Sequence, residues 1–243
     1  MRINVHAGHN PDGKTACGAV GFIRESTEAR RVKDAVIGML RQQGHTVHDC
    51  TCETGKSQAD VLARIVAACN AHETDLDVSI HFNSGARDAA GNGKTTGVEA
   101  LVYDAAGRAG QAAARVCAAV SSLGFRNRGV KVNRNLYVLR KTNAPAVLIE
   151  CCFVDDRDDV QLYDCQRMAE AVVFGITGQR APAAGEPGAS DGQDADAPGS
   201  ETLTGDRELY RVQVGAYSVK GNADRMQANL MAAGFSDTII VKA

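Results

Sequence analysis

The sequence predicts an α/β protein, a doubly wound and mostly parallel sheet flanked by helices, followed by a flexible linker and a small β-α-β module. Three observations lead to that expectation. Short runs rich in Val and Ile, RINVHAGHN, LDVSIHFN and APAVLIECC, are bounded by Gly and Asn and read as buried strands of a parallel sheet. Longer segments between them carry apolar residues at helical spacing. From Arg180 to Asp206 the composition turns abruptly to Ala, Pro, Gly, Ser and acidic residues, with almost nothing to bury.

Taken in order, the first strand leads to Gly8 and His9. The segment from Glu28 to Leu40 places Val32, Val36, Met39 and Leu40 at helical spacing, and Gly44 follows as a stop signal. Thr46 to Cys50 supplies a second strand. Ser57 and Asp60 form a capping box ahead of a helix whose stripe is Val61, Leu62, Ile65, Val66 and Cys69. A strand ending at His81 follows, then GVEALVY from Gly97, and then an Ala-rich helix from Gln111 to Leu123. NLYVLR and AVLIE read as strands, and Asp158 to Gly175 as one closing amphipathic helix. This domain is expected to span residues 1–178, the linker 179–206 and the tail 207–243. In the tail, LYRVQVGAY alternates as a strand, Asn222 caps a helix carrying Met226, Leu230 and Met231, and TIIVK is a second strand. A tail below roughly 40 residues buries too little surface to fold alone, and its two strands have open edges. Two tails are therefore expected to pair, making a homodimer.

With 27 basic against 29 acidic residues and no basic stripe, nothing argues for a nucleic-acid partner. No apolar stretch approaches the roughly 18 residues of a membrane span, so no membrane anchor is expected. The first strand begins almost at Met1, which leaves no room for a signal peptide and implies synthesis into the cytoplasm. The eight cysteines suit that compartment as free thiols, Cys69 and Cys117 as core fillers. No CxxC pair is present to suggest a zinc ribbon.

Three of the apolar runs end on a side chain that can bind a metal or move a proton: His9, His81 and Glu150. Ligands of open α/β sheets bind beyond the carboxyl ends of the strands, so these three are expected to converge on a hydrolytic metal site. A catalytic zinc takes three protein ligands and keeps a fourth position for water or substrate. The third ligand would be Glu25 or Glu28, both at the start of the first helix, and spacing does not separate them. Two other chemistries compete. Gly8 to Thr15, GHNPDGKT, matches the phosphate-binding loop of nucleotide hydrolases, but that motif needs a helix starting at its Lys-Thr pair, and Gly18 and Gly21 follow instead. Cys151 and Cys152 beside Glu150, or Cys50 and Cys52 near His45 and His48, would serve as nucleophiles only with a base close in space.

Gly8-His9, Glu25, Ser79-Ile80-His81-Phe82-Asn83, and Pro145-Ala146-Val147-Leu148-Ile149-Glu150 with Phe153 beyond resemble the motifs of the zinc-dependent N-acetylmuramoyl-L-alanine amidases of bacteria and phages, over about residues 1–178. The resemblance favours Glu25 over Glu28. It implies that His9, Glu25 and His81 hold Zn2+ and that Glu150 is the catalytic carboxylate, general base and then acid for zinc-activated water. The substrate implied is bacterial peptidoglycan, cut between the lactyl group of muramic acid and the L-alanine of the stem peptide. Two positions depart from the family pattern: Asn10-Pro11 stands where Gly-Gly follows the first His, and Cys152 stands for the Gly before Phe. Asn83, Arg128, Lys131 and Asn133 are the candidates for holding an anionic peptide, against the plainer reading of a solvated loop. The tail resembles half of a SPOR domain, a module for peptidoglycan strands without stem peptides. Together these features are similar to a phage endolysin, retained in the cytoplasm until a membrane lesion lets it reach the wall. The alternative from another class is a non-catalytic wall-binding protein with the amidase fold, against which stand four intact site residues.

Overall fold

In the computed structural model the chain divides into two units, Met1–Ala189 and Ser190–Ala243. The structure describes residues 1–179 and Gln227, so the β-α-β tail, its pairing and most of the linker lie outside the described residues. The described elements are β1 (Arg2–Ala7), α1 (Glu25–Gln42), β2 (Thr46–Asp49), α2 (Gln58–Asn70), β3 (Leu76–Asn83), β4 (Val98–Val102), α3 (Gly107–Ser121), β5 (Asn127–Val132), α4 (Tyr137–Lys141), β6 (Ala146–Phe153), α5 (Arg157–Leu162) and α6 (Cys165–Thr177).

The sheet has six strands in the order β2-β1-β3-β6-β4-β5. β2, β1, β3 and β6 run parallel; β4 is antiparallel to β6, and β5 is parallel to β4. Both faces are covered, as a mostly parallel sheet requires. One face packs against α1, α3 and α6 through Ile3, Val5, Val32, Val36, Ile80, Phe82, Val116, Val147, Ile149 and Val172. The other packs against α2 and α4 through Val61, Ile65, Val138, Leu139, Ala146 and Leu148.

Strand side chains alternate between faces, and that alternation positions the site. On the α1/α3/α6 side β1, β3, β4 and β6 present only apolar residues, while Asp49 at the end of β2 pairs with Lys33 of α1 at 2.7 Å. The α2/α4 side also receives Asn4, His6, Ser79, His81, Glu99 and Glu150. His81 of β3 and Glu99 of β4 are both in register with Glu150 of β6. The three therefore form one row across neighbouring strands, at the end where α2 and α4 give way.

Two expectations need correcting, and one element is added. NLYVLR is a helix, α4, whose consecutive Val138 and Leu139 are both buried; a run this short has no decisive period. Residues 127–132, to which the sequence assigned no element, form β5, an edge strand whose partly exposed, charged residues leave no apolar stripe to detect. The closing helix is two helices, because Asp164 caps a new one by accepting the Arg167 N–H at 2.9 Å. The phosphate-loop alternative also fails: no helix starts at Lys14-Thr15, and the next, α1, begins at Glu25.

Candidate metal centre

The loop after β1 is built to hold His9. Gly8 donates its N–H to Ile80 at 3.0 Å, and a Cβ at Gly8 would lie 2.0 Å from the His81 ring, so only glycine lets β1 and that imidazole approach. His9 has φ +66°, a left-handed conformation that a non-glycine residue adopts at a cost of order 1–3 kcal/mol and that clusters at functional sites. Its neighbours hold that turn in place. Arg30 of α1 donates to the His9 carbonyl at 3.0 Å. Buried Asn10, one of the departures from the family pattern, donates to Thr15 and Gly55 at 2.7 and 2.6 Å and accepts the Gly55 N–H at 2.9 Å. Arg30 was not singled out in the sequence, and Asn10 only as a departure from the family pattern.

His9, Glu25 and His81 converge. Oε1 of Glu25 lies 3.2 Å from His9 Nε2 and 3.0 Å from His81 Nδ1, and its Oε2 accepts the Ala19 N–H at 2.7 Å. One potential ligand atom from each residue lies within 4.8 Å of the others. Burial alone would raise the proton affinity of Glu25; hydrogen bonds from His81 and His9 outweigh it and hold the carboxyl well below the usual range. Glu28 is engaged elsewhere, accepting from Arg31 at 3.1 Å and from the Tyr163 hydroxyl at 2.9 Å. The donor set of two imidazole nitrogens and one ionised carboxylate, preformed and without competing side-chain partners on Glu25, fits a zinc ion.

Glu150 stands next in the row. Its Oε2 is buried with no hydrogen-bond partner among the described residues. Burial first, then the charges of Glu25 and Glu99, push its pKa up to about 8, with Lys131 pulling the other way. A buried carboxyl with an unpaired oxygen and a proton affinity near neutrality has the attributes of a general acid and base.

The candidate peptide-holding residues divide. Asn83, Arg128 and Lys131 gather on Glu99, a buried carboxylate that sequence reading missed. Its signal was there, an acidic residue inside the apolar run GVEALVY. Asn133 instead closes the end of β5, donating to the Val102 carbonyl at 2.9 Å and accepting the Asn135 N–H at 3.0 Å. All eight cysteines are free, and burial pushes the thiols of Cys151 and Cys152 well up, the opposite of what a nucleophile needs. His6, behind His81, is held neutral: burial and then the charge of His81 lower its pKa to about 3.

Comparison with known proteins bears on these residues. Residues 3–178 match the N-acetylmuramoyl-L-alanine amidase family, and residues 189–242 match the SPOR domain, a match that opens inside the stretch read as linker. The uncharacterized protein CPE1502 of Clostridium perfringens is 38% identical over 164 residues, 67% of this chain and 47% of that protein. The chain thus spans about half the length of two of the relatives it matches. The sporulation-specific N-acetylmuramoyl-L-alanine amidase of Bacillus subtilis is 27% identical over 245 residues, 100% of this chain and 85% of that enzyme. Among solved structures, the catalytic domain of the CD27L endolysin targeting Clostridia Difficile is similar at TM-score 0.65 and 25% identity, over 74% of this chain and 98% of that one. The amidase AmiC2 of Nostoc punctiforme is similar at TM-score 0.60 and 26% identity, over 73% and 96%.

Proposed function

The chain belongs to the N-acetylmuramoyl-L-alanine amidase family, and on that premise we propose that it hydrolyses peptidoglycan at the amide between the lactyl group of muramic acid and the L-alanine of the stem peptide. His9, Glu25 and His81 would hold a zinc ion, and Glu150 would move the proton. The observation that carries this reading is the row of His81 and Glu150 in register, with His9 and Glu25 closing on His81 from the β1 loop and the start of α1.

A zinc ion at these ligands supplies Lewis acidity, polarising the scissile carbonyl and making water a better nucleophile near neutral pH. Glu150 accepts the proton of the attacking water at its unpaired Oε2 and returns it to the nitrogen of the departing L-alanine. His9 and His81 need only present their nitrogens, since Gly8, Asn10 and Arg30 already fix the loop and Glu25 orients both rings.

The SPOR domain would hold the enzyme on peptidoglycan. Among the described residues no helix is long and apolar enough to cross a membrane. Release to the wall through a membrane lesion, and pairing of two chains through their tails, complete the proposal. Light scattering of the full chain is expected to show a dimer; a monomer at micromolar concentration would remove that part.

The test of the reaction is a digest of purified peptidoglycan. New L-alanine amino termini should appear without new reducing sugar ends. Phenanthroline should abolish their release and added zinc restore it, while iodoacetamide should leave most of the activity. New reducing ends, or loss of activity to alkylation but not to chelation, would contradict the proposal.

A further inference from the structure

Glu99 is a buried carboxylate on the site face that the proposed reaction does not use. It lies beside Glu150, in register across β4 and β6. Three side chains from two other strands donate to it: Asn83 Nδ2 of β3 at 3.1 Å, and Arg128 Nε and Lys131 Nζ of β5, both at 2.5 Å. Arg128 also rests its guanidinium 4.9 Å from the centre of the Phe153 ring, on the strand that carries Glu150. Burial would raise the proton affinity of Glu99, but Lys131 and then Arg128 outweigh it and keep the carboxylate ionised. Its neighbour Glu150 shows the opposite balance, with burial pushing its proton affinity up.

Two cations on one anion give the Glu99 cluster a net positive charge, although at Glu150 itself the nearby charge of Glu99 outweighs that of Lys131. The side chains of Arg128 and Lys131 keep 28% and 43% of their exposure. Glu99 engages Nε of Arg128, so the Nη1/Nη2 edge of its guanidinium is left to donate two parallel hydrogen bonds to an anion. Without Glu99, Lys131 would be left close enough to act on Glu150, and an ion pair there would engage its free oxygen.

We propose that Glu99 is a positioning residue: it holds Arg128 and Lys131 beside Glu150, off that carboxyl, as a receptor for a carboxylate on the stem-peptide residue that follows the scissile amide's L-alanine. The inference rests on the amidase reading and names a feature of its substrate, a free carboxylate rather than a carboxamide at that residue.

The test uses the full chain and two soluble muropeptides that differ only in whether the second stem residue bears a carboxylate or a carboxamide. The unmodified chain should prefer the carboxylate by about tenfold or more in kcat/KM, the scale of one charge-assisted hydrogen bond. In the double variant Arg128→Gln/Lys131→Met the ratio should fall close to one, through KM for the carboxylate substrate. Glu99→Gln should lose the ratio too and also lower kcat on both substrates, and Glu99→Asp should recover part of it. Added to the double variant, Glu99→Gln should change the ratio by less than about twofold, because nothing is left to position. Thermal melts and zinc content identify any variant that has merely unfolded, and Glu99→Asp then decides the Glu99 arm. Equal cleavage of both substrates by the unmodified chain, or a ratio that survives in the double variant, would overturn the inference while leaving the amidase reading intact. Cleavage of neither substrate would overturn both.

Discussion

Two groups among the described residues bring three possible metal ligands within 4.8 Å, His9–Glu25–His81 and Asp88–Asp156–Asp158, and their remaining hydrogen bonds set them apart. The aspartates are filled by backbone donors. Asp158 accepts the N–H groups of Asn92 and Gly93 at 2.7 and 2.8 Å, Asp156 those of Thr96 and Asp159 at 3.1 and 3.0 Å, and Asp88 that of Gly91 at 2.9 Å. Their work is to fold the long loop between β3 and β4 against the start of α5. Glu25 too accepts backbone N–H groups, from Ala19 at 2.7 Å and Phe82 at 3.3 Å, but its side-chain partners are two imidazoles that point at a single carboxylate oxygen. Proximity of ligands is thus shared by both groups. What distinguishes a donor set from architecture is where the lone pairs already go.

That contrast can be broken most severely at Glu150. Glu150→Gln keeps size and hydrogen bonding but cannot take a proton, so amidase activity should fall about 10²-fold or more with zinc retained; activity near the unmodified level would place the proton transfer elsewhere. Gly8→Ala comes next. Its Cβ would meet the His81 ring at 2.0 Å, so the ring must move and zinc affinity should weaken about tenfold or more, as when the support of a metal ligand is lost. Equilibrium competition with a zinc-binding dye measures it.

On the aspartate side, Asp156→Ala removes a buried helix cap and should cost about 1–2 kcal/mol in denaturant melts. A further effect lies in the pH dependence of the metal-free protein. Glu150 has a folded-state pKa raised from 4.5 to about 8, so the folded chain holds the proton more tightly than the unfolded one. Its contribution to stability is complete below pH 4.5 and is lost as pH rises towards about 8. Glu150→Gln abolishes that loss, so the melting temperature of the variant relative to the unmodified chain should climb by a few degrees from pH 5 to pH 8. A flat difference would mean that Glu150 is not desolvated.

The parallel half of the fold could be read from the sequence because β1, β3 and β6 are continuous apolar runs whose last polar residues are the functional ones. In the antiparallel half only β4, the run GVEALVY, could. β5 lies at an edge, partly exposed and charged, and its Arg128 and Lys131 look like loop residues until β4 supplies Glu99 to pair with. α4 is too short for its period to show. Glu25 and Glu28 share one helical turn, and only the third dimension turns one to His9 and His81 and the other to Tyr163. A polar residue inside an apolar strand was the overlooked signal: His6 and Glu99 both occupy such positions, and both face the site side of the sheet.

The central claim is that one zinc ion is held by His9, Glu25 and His81. Zinc per chain, measured by elemental analysis on the full-length protein and on His81→Ala, Glu25→Ala, Glu28→Ala and Asp156→Ala after identical dialysis, tests it most directly. The expected result is one zinc in the unmodified chain, in Glu28→Ala and in Asp156→Ala, and none in His81→Ala or Glu25→Ala. A zinc-replete Glu25→Ala protein, or loss of the ion from Asp156→Ala while it remains folded, would contradict it.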